Sequence, residues 1–200
     1  MVLRVKGIVF VNAIIICAIA VVNLPAQSSG LKRFEVSGGY SRTEAPKLDE
    51  VPTVPNGWTA GFGVKVNKRM AIYAEGGRDL KRVTFGPTNP RFSHDRVSVL
   101  GGVRFYFDNK TRLTPFLSGG VGYVRFHTVV SLAGAAQASY GVRNALFAAG
   151  GGVDIAVDKK GRWAWRNTAE FRRVEVGFHD DGSRANGAAL RVTTGLVFRF

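Results

Sequence analysis

The sequence predicts an all-β chain, an eight-stranded antiparallel up-and-down β-barrel that spans a membrane. Three observations lead there. Runs of about ten residues alternate apolar with polar or small side chains. The joints between these runs alternate short with long, which is the pattern of an outer-membrane barrel. The final run, VTTGLVFRF, ends on Phe200, with Phe198 two residues earlier and Arg199 between them.

Composition narrows the classes. The chain has 200 residues, enough for one domain and a targeting segment. Glycine is abundant at 25 residues but lacks a collagen period, and an apolar share of 46% excludes general disorder. The net charge of +14 suits an anionic partner, nucleic acid or a membrane surface. A nucleic-acid protein rarely opens as this one does, so no nucleic-acid partner is expected.

Residues 1–26 have a cationic start at Arg4 and Lys6, an apolar stretch from Gly7 to Val22, and a small, turn-prone end at Asn23, Pro25 and Ala26. This is the layout of a cleaved secretory signal, with Ala26 or Ala20 as the cleavage point. An uncleaved transmembrane anchor is the alternative. The barrel domain is then 27–200. The only cysteine, Cys17, lies in the signal, so the mature chain is expected to leave the cytoplasm without a disulfide.

The strands follow in order. The first, 33–43, carries Glu35. The second, 57–67, sets Trp58, Ala60, Phe62, Val64 and Val66 against Thr59, Gly61, Gly63 and Lys65. The third, 70–78, carries Glu75. The fourth, 96–107, sets Val97, Val99, Val103, Phe105 and Phe107 against Ser98, Leu100, Arg104 and Tyr106. The fifth, 112–126, is rich in glycine. The sixth, 143–157, sets Phe147, Ala149, Val153 and Ile155 against Leu146, Ala148, Gly150 and Asp154. The seventh, 163–178, carries Arg166, Glu170 and Arg172. The eighth, 188–200, sets Leu190, Val192, Thr194, Leu196, Phe198 and Phe200 against Arg191, Thr193, Gly195, Val197 and Arg199. Tight joints fall at 67–69, 108–111 and 158–162. Long joints fall at 44–56, 79–95, 127–142 and 179–187, and both ends of the barrel then lie on the short-turn, periplasmic side.

Alternation alone does not distinguish a membrane barrel from a soluble one. The second row of each strand is heavy in glycine and sparse in charge, unlike a surface built for water. A narrow eight-stranded interior has room for small residues and a few long ones, so the polar row is read as inward. The inward charges then form a lumen network: Glu35, Lys65, Glu75, Arg104, Asp154, Arg166, Glu170, Arg172, Arg191 and Arg199. Asp154 is expected opposite Arg166, Glu75 beside Arg104, Glu35 between Lys65 and Arg199, and Glu170 with Arg172 facing Arg191. Isolated buried charges cost several kcal/mol each, so such pairing is close to obligatory. The network is read as a plug that fixes register, with a gate or ion path as the functional alternative.

Aromatic residues gather where interfacial girdles belong. Phe34, Phe105, Tyr106, Phe107, Trp163, Trp165, Phe198 and Phe200 are expected at the short-turn rim, and Tyr40, Trp58, Tyr123 and Phe126 at the loop rim. Lys32, Arg33, Lys68, Arg69, Lys110, Arg112, Lys159, Lys160 and Arg162 form a cationic collar at the periplasmic end, suited to anionic headgroups or simply to water. Lys81, Arg82 and Arg91 in the 79–95 joint suit lipopolysaccharide phosphates or simply solubility. The small, apolar joint at 127–142 packs over the mouth, prolongs the strands or meets a partner.

With TPFLSGGVGYVRF at 114–126, AEFRR at 169–173 and the closing GLVFRF, the chain resembles the OmpA-like family of eight-stranded outer-membrane β-barrels. The resemblance implies insertion by the outer-membrane assembly machinery, reading the last strand with Phe198 and Phe200 as its signal. It covers the barrel domain only, with no peptidoglycan-binding domain. Structural, adhesive, narrow-channel and protective roles all occur in the family.

No enzyme is expected. His127 and Ser131 recur on one face but stand about 13 Å apart in an extended strand, too far for a nucleophile and its base. No metal spacing, phosphate loop or dinucleotide fingerprint appears, and no cofactor is expected. The functional expectation is a monomeric bacterial outer-membrane barrel with a structural or surface-interaction role, with outer-membrane lipids, lipopolysaccharide and the assembly machinery as partners. The alternatives are a soluble exported barrel binding an apolar ligand and a lipid A-modifying barrel enzyme.

Overall fold

The computed structural model describes residues 32–44, 56–84, 91–107, 111–131, 137–178 and 184–200. The 1–26 segment and the middles of the four long joints lie outside these. The described residues form eight strands: β1 (Phe34–Glu44), β2 (Asn56–Lys65), β3 (Met70–Thr84), β4 (Arg91–Tyr106), β5 (Leu113–Ser131), β6 (Gln137–Ala156), β7 (Trp163–Phe178) and β8 (Arg184–Arg199). Each pairs antiparallel with its sequence neighbour, and β8 returns to β1, closing the barrel. The expected fold class is the observed one.

Closure runs from Glu35↔Arg199 to Glu44↔Leu190. Phe200 extends it, because the backbones of Phe34 and Phe200 exchange two hydrogen bonds of 3.0 Å. Every strand thus has two neighbours, and no edge is left exposed along this seam.

The short turns are held by local chemistry. Asn67 Oδ1 accepts hydrogen bonds from the backbone amides of Arg69 and Met70, both at 2.8 Å. Asp158 Oδ1 accepts from the Trp163 amide at 2.8 Å, and Gly161 takes the left-handed φ of 59° that the five-residue connection needs. The described cations of the collar, among them Lys68, Arg69, Lys159 and Arg162, stand at these turns.

The loop-side ends differ from expectation. β3 runs on to Thr84 rather than stopping at 78, and β4 begins at Arg91 rather than 96. β5 and β6 likewise reach Ser131 and Gln137. In KRVT at 81–84 and RFSH at 91–94 apolar residues no longer alternate with polar ones. The apolar–polar contrast therefore fades while the backbone ladder continues. Of the three readings of 127–142, prolonged strands match the hairpin as far as it is described.

The wall is apolar outside. Val99, Val103, Leu117, Phe147, Phe171, Val192 and Leu196 are all exposed, on strands whose alternate residues are buried. Tyr40, Trp58 and Tyr123 stand exposed at the loop rim, and Phe105, Trp163 and Phe200 at the turn rim. Two expected girdle residues turn inward instead. Tyr106 is 2% exposed and packs on Phe116, and Phe126 packs against a buried cluster of Tyr73, Leu100, Val124, Leu146, Ala148 and Val174. Parity is the reason: each lies an even number of residues from an inward neighbour, Arg104 and Val124.

Candidate functional site in the barrel lumen

The lumen holds two groups of charges. The group nearer the short turns is centred on Glu35 and Asp154. Asp154 and Arg166 are cross-strand partners on β6 and β7, so their side chains leave the same face at the same height. Arg166 grips both Asp154 oxygens, through Nε at 2.7 Å and Nη2 at 2.8 Å. The other edge of the same guanidinium donates from Nη1 to Glu35 Oε1 at 3.1 Å. Arg104 reaches Glu35 Oε1 at 2.6 Å from the far wall, and the Tyr106 hydroxyl donates to Glu35 Oε2 at 3.1 Å. Arg199 bonds Asp154 and lies 3.7 Å from Glu35.

Lys65 is the remaining cation here. It sits 5.1 Å above the Tyr106 ring and forms no ion pair among the described residues. Two carboxylates thus face four cations. Aromatic faces take up part of the excess: the Arg104 guanidinium lies 4.4 Å from the Tyr73 ring centre and 5.0 Å from that of Phe116.

The second group lies toward the loops. Arg172 donates to Glu75 at 2.9 Å and to Glu170 at 2.8 Å. Arg191 is fully buried and bonds the Ser41 hydroxyl at 2.9 Å, with Glu75 at 3.5 Å and Asp79 at 3.8 Å. Arg96 donates through Nε to Asp79 at 2.8 Å and through Nη2 to Thr43 at 2.6 Å. A small polar cleft lined by Glu35, Ser37, Tyr73, Glu75 and Arg104 separates the two groups.

All ten residues expected in the network reach the interior, yet their partners differ in places. Glu75 pairs with Arg172 and Arg191, not with Arg104, because β3 and β4 set Glu75 beside Leu100 and Arg104 beside Ala71. Asp79, Arg96, Ser41, Thr43 and Tyr106 complete the network and were not expected in it. The parity of Asp79 with Gly77 and Glu75 carried the signal, hidden by reading 79–95 as a loop.

Glycine shapes the wall around these groups. A Cβ on Gly63 would stand 2.8 Å from Glu35 Cγ, and one on Gly77 2.8 Å from Arg191 Nη2. Bare backbone at these two positions leaves room for the Glu35 carboxyl and the Arg191 guanidinium.

Burial of so many charges is tolerable only because each acid is ion-paired and hydrogen-bonded. Chemically this is a rigid polar filling. Among the described residues no group of His, Cys, Asp and Glu is placed to hold a metal ion. His127 stands opposite Asp95 on the outer wall, but Arg78 already holds both Asp95 oxygens, at 2.9 and 2.7 Å.

The sequence matches no protein-family model and no curated protein. Solved structures do match. Neisserial surface protein A is similar with a TM-score of 0.60 at 13% identity, over 86% of this chain and 98% of that one. Ail of Yersinia pestis, in complex with the heparin analogue sucrose octasulfate, gives 0.56 at 15% identity, over 84% and 97%. A major outer membrane protein from Thermus thermophilus gives 0.62 at 8% identity, over 84% and 99%. Such identities speak for the fold. The chain has the fold of the OmpA-like eight-stranded outer-membrane β-barrels.

Proposed function

We propose that the protein is an integral barrel of a bacterial outer membrane, with a structural and surface-interaction role and no catalytic one. One observation carries this reading: the wall is apolar outside and ion-paired inside. A soluble barrel built to hold an apolar ligand needs the reverse arrangement. An apolar exterior in water would be a large sticky surface, whereas in a bilayer it is the matched one.

The filled lumen favours a mechanical element over an open channel. Glu35, Arg104, Asp154, Arg166 and Arg199 tie β1, β4, β6, β7 and β8 together through the axis. Export through a cleaved signal at 1–26, insertion by the assembly machinery through Phe198 and Phe200, and a monomeric state belong to the same reading. So does contact of the turn-side collar with anionic headgroups.

Gel migration tests it. Folded protein in detergent should migrate differently before and after boiling, and should need detergent or lipid to stay dispersed. Protein that stays soluble without detergent and extracts an apolar ligand would replace this reading with the soluble one. Steady conductance of the unmodified protein in planar bilayers would replace the plug with a channel.

A further inference from the structure

On the outer wall, Arg125 of β5 and Arg143 of β6 are direct cross-strand partners. Both side chains are exposed. Directly opposed residues place their Cβ atoms about 4.5–5.5 Å apart, and like charges there destabilise the sheet. Two other outward arginines at this end are each neutralised: Arg42 lies 3.1 Å from Glu44, and Arg78 2.7 Å from Asp95. Among the described residues, neither Arg125 nor Arg143 has an ion-pair partner. Glu175, the nearest acid diagonally across β7, stands opposite Ala145 and forms no ion pair with Arg143.

The height of the pair gives the repulsion a meaning. Below Arg125, the outward positions of β5 are Tyr123, Val121, Gly119, Leu117, Pro115 and Leu113. Below Arg143, those of β6 run from Ala145 to Ile155 without a charge. Each stretch spans the roughly 9–11 residues that a tilted strand needs to cross the hydrocarbon core. On these two strands the guanidiniums are the first outward charges beyond the apolar stretch, next along β5 after the girdle ring of Tyr123, on the loop side.

We propose that Arg125 and Arg143 form a clamp for a phosphomonoester on a lipid headgroup of the outer leaflet. The inference rests on the membrane reading above. A guanidinium fork matches two phosphate oxygens, and two opposed forks match a dianion. A zwitterionic phosphodiester offers one negative charge beside an ammonium and matches poorly. The bound anion converts the Arg–Arg repulsion into two attractions, so the ligand, rather than a side chain, completes this part of the sheet.

The test uses the full barrel in neutral phosphocholine nanodiscs, doped with bisphosphorylated lipid A or with its dephosphorylated form. Lipid retained on the purified protein is measured, and insertion is scored separately by the gel shift on boiling. The native chain should retain the phosphorylated lipid at least about tenfold more strongly, and R125Q/R143Q should lose that preference. R173Q removes an outward cation whose partners are Phe147 and Ala188, and should change retention by less than about twofold. R143E should lose the lipid yet unfold at a higher denaturant concentration than native protein in undoped discs, because it relieves the repulsion. That rise cannot come from a folding defect.

Equal retention of the two lipids, or unchanged retention by the double variant, overturns the clamp while leaving the membrane reading intact. Full competition by millimolar inorganic phosphate overturns the assignment to a lipid. A chain that inserts into neither disc overturns both.

Discussion

Arg166 stands between two carboxylates, bonded to Asp154 at 2.7 Å through Nε and to Glu35 at 3.1 Å through Nη1. One guanidinium thereby joins β7 to β6 on one side and to β1 on the other. The planar fork permits this, since its two edges point in different directions. A lysine placed there has one ammonium and cannot hold both acids in the same geometry.

Loss of this residue should therefore cost more than loss of the pair. Arg166→Leu leaves Asp154 with Arg199 alone and should destabilise the barrel by about 3 kcal/mol, within the range for a broken buried pair. The double change Asp154→Leu with Arg166→Leu removes one charge of each sign and should recover most of that loss. Urea unfolding in lipid vesicles measures both. A single variant within about 1 kcal/mol of native would mean that the network is slack.

Two adjacent glycines offer a cleaner test of lumen packing. A Cβ at Gly77 would meet Arg191 Nη2 at 2.8 Å and the Trp58 carbonyl at 3.3 Å, whereas one at Gly76 would meet nothing within 4 Å. Neither glycine has a positive φ. Gly76→Ala should be neutral or stabilise by up to about 1 kcal/mol through the unfolded chain. Gly77→Ala should destabilise by about 1–3 kcal/mol, because Arg191 must leave its place. Equal effects of the two changes would refute an inward-pointing Arg191.

The faces themselves are open to measurement. Spin labels at Val192 and Leu196, exposed on β8, should be reached by oxygen more readily than by a hydrophilic quencher in reconstituted vesicles. Leu196→Arg should cost about 2–4 kcal/mol if the residue lies near the midplane, and less toward either interface. Labels more accessible to the hydrophilic quencher would invert the barrel.

Eight strands and their facing were legible because period-two alternation survives wherever the outer face is apolar and the inner one is polar or small. Leu190, Val192 and Leu196 against Arg191, Val197 and Arg199 show it on a single strand. Where that contrast ends, sequence reading ended too. Asp79 is wholly buried, yet Lys81 and Arg82 behind it resemble a loop. Partner choice was illegible for a different reason. Arginine reaches across the lumen, so Glu75 finds Arg172 and Arg191 through the register of the whole barrel rather than through its own hairpin. Tyr106 follows the inward parity of Arg104, and only the flanking Phe105 and Phe107 make it look like part of the girdle. The opposition of Arg125 to Arg143 emerges only once the hairpin register is fixed.

At the turn side, Asp158 lies beyond the strand ends and gives a pH-dependent signature. The Trp163 amide bonded to it holds its carboxyl below the ordinary value. A depressed folded value means that the contribution is complete above the unfolded value of about 4 and disappears as pH falls through the folded one. Amide-exchange protection at Trp163 should fall with acidification below that point in native protein. Asp158→Asn keeps an acceptor that does not titrate, so its protection should be flat over the same range. Parallel behaviour of the two would mean that the carboxylate does not order this turn.

The final residue joins the seam and the proposed assembly signal. Phe200 stacks on Phe34 at 5.7 Å and lies 5.8 Å from Phe198, which packs on Trp163 at 4.7 Å. Phe34 continues the row to Phe62 at 6.1 Å. These rings cross the closure from β7 through β8 and β1 to β2. Phe200→Ala should therefore cost about 1–2 kcal/mol in purified protein refolded into vesicles, from two ring contacts worth about 0.5–1.5 kcal/mol each. Phe200→Trp should restore most of it. In cells the same alanine variant should lower the folded, heat-modifiable fraction far more than that cost explains, because a recognition step is lost as well as a contact. A cellular loss no greater than the vesicle experiment accounts for would confine Phe200 to the seam.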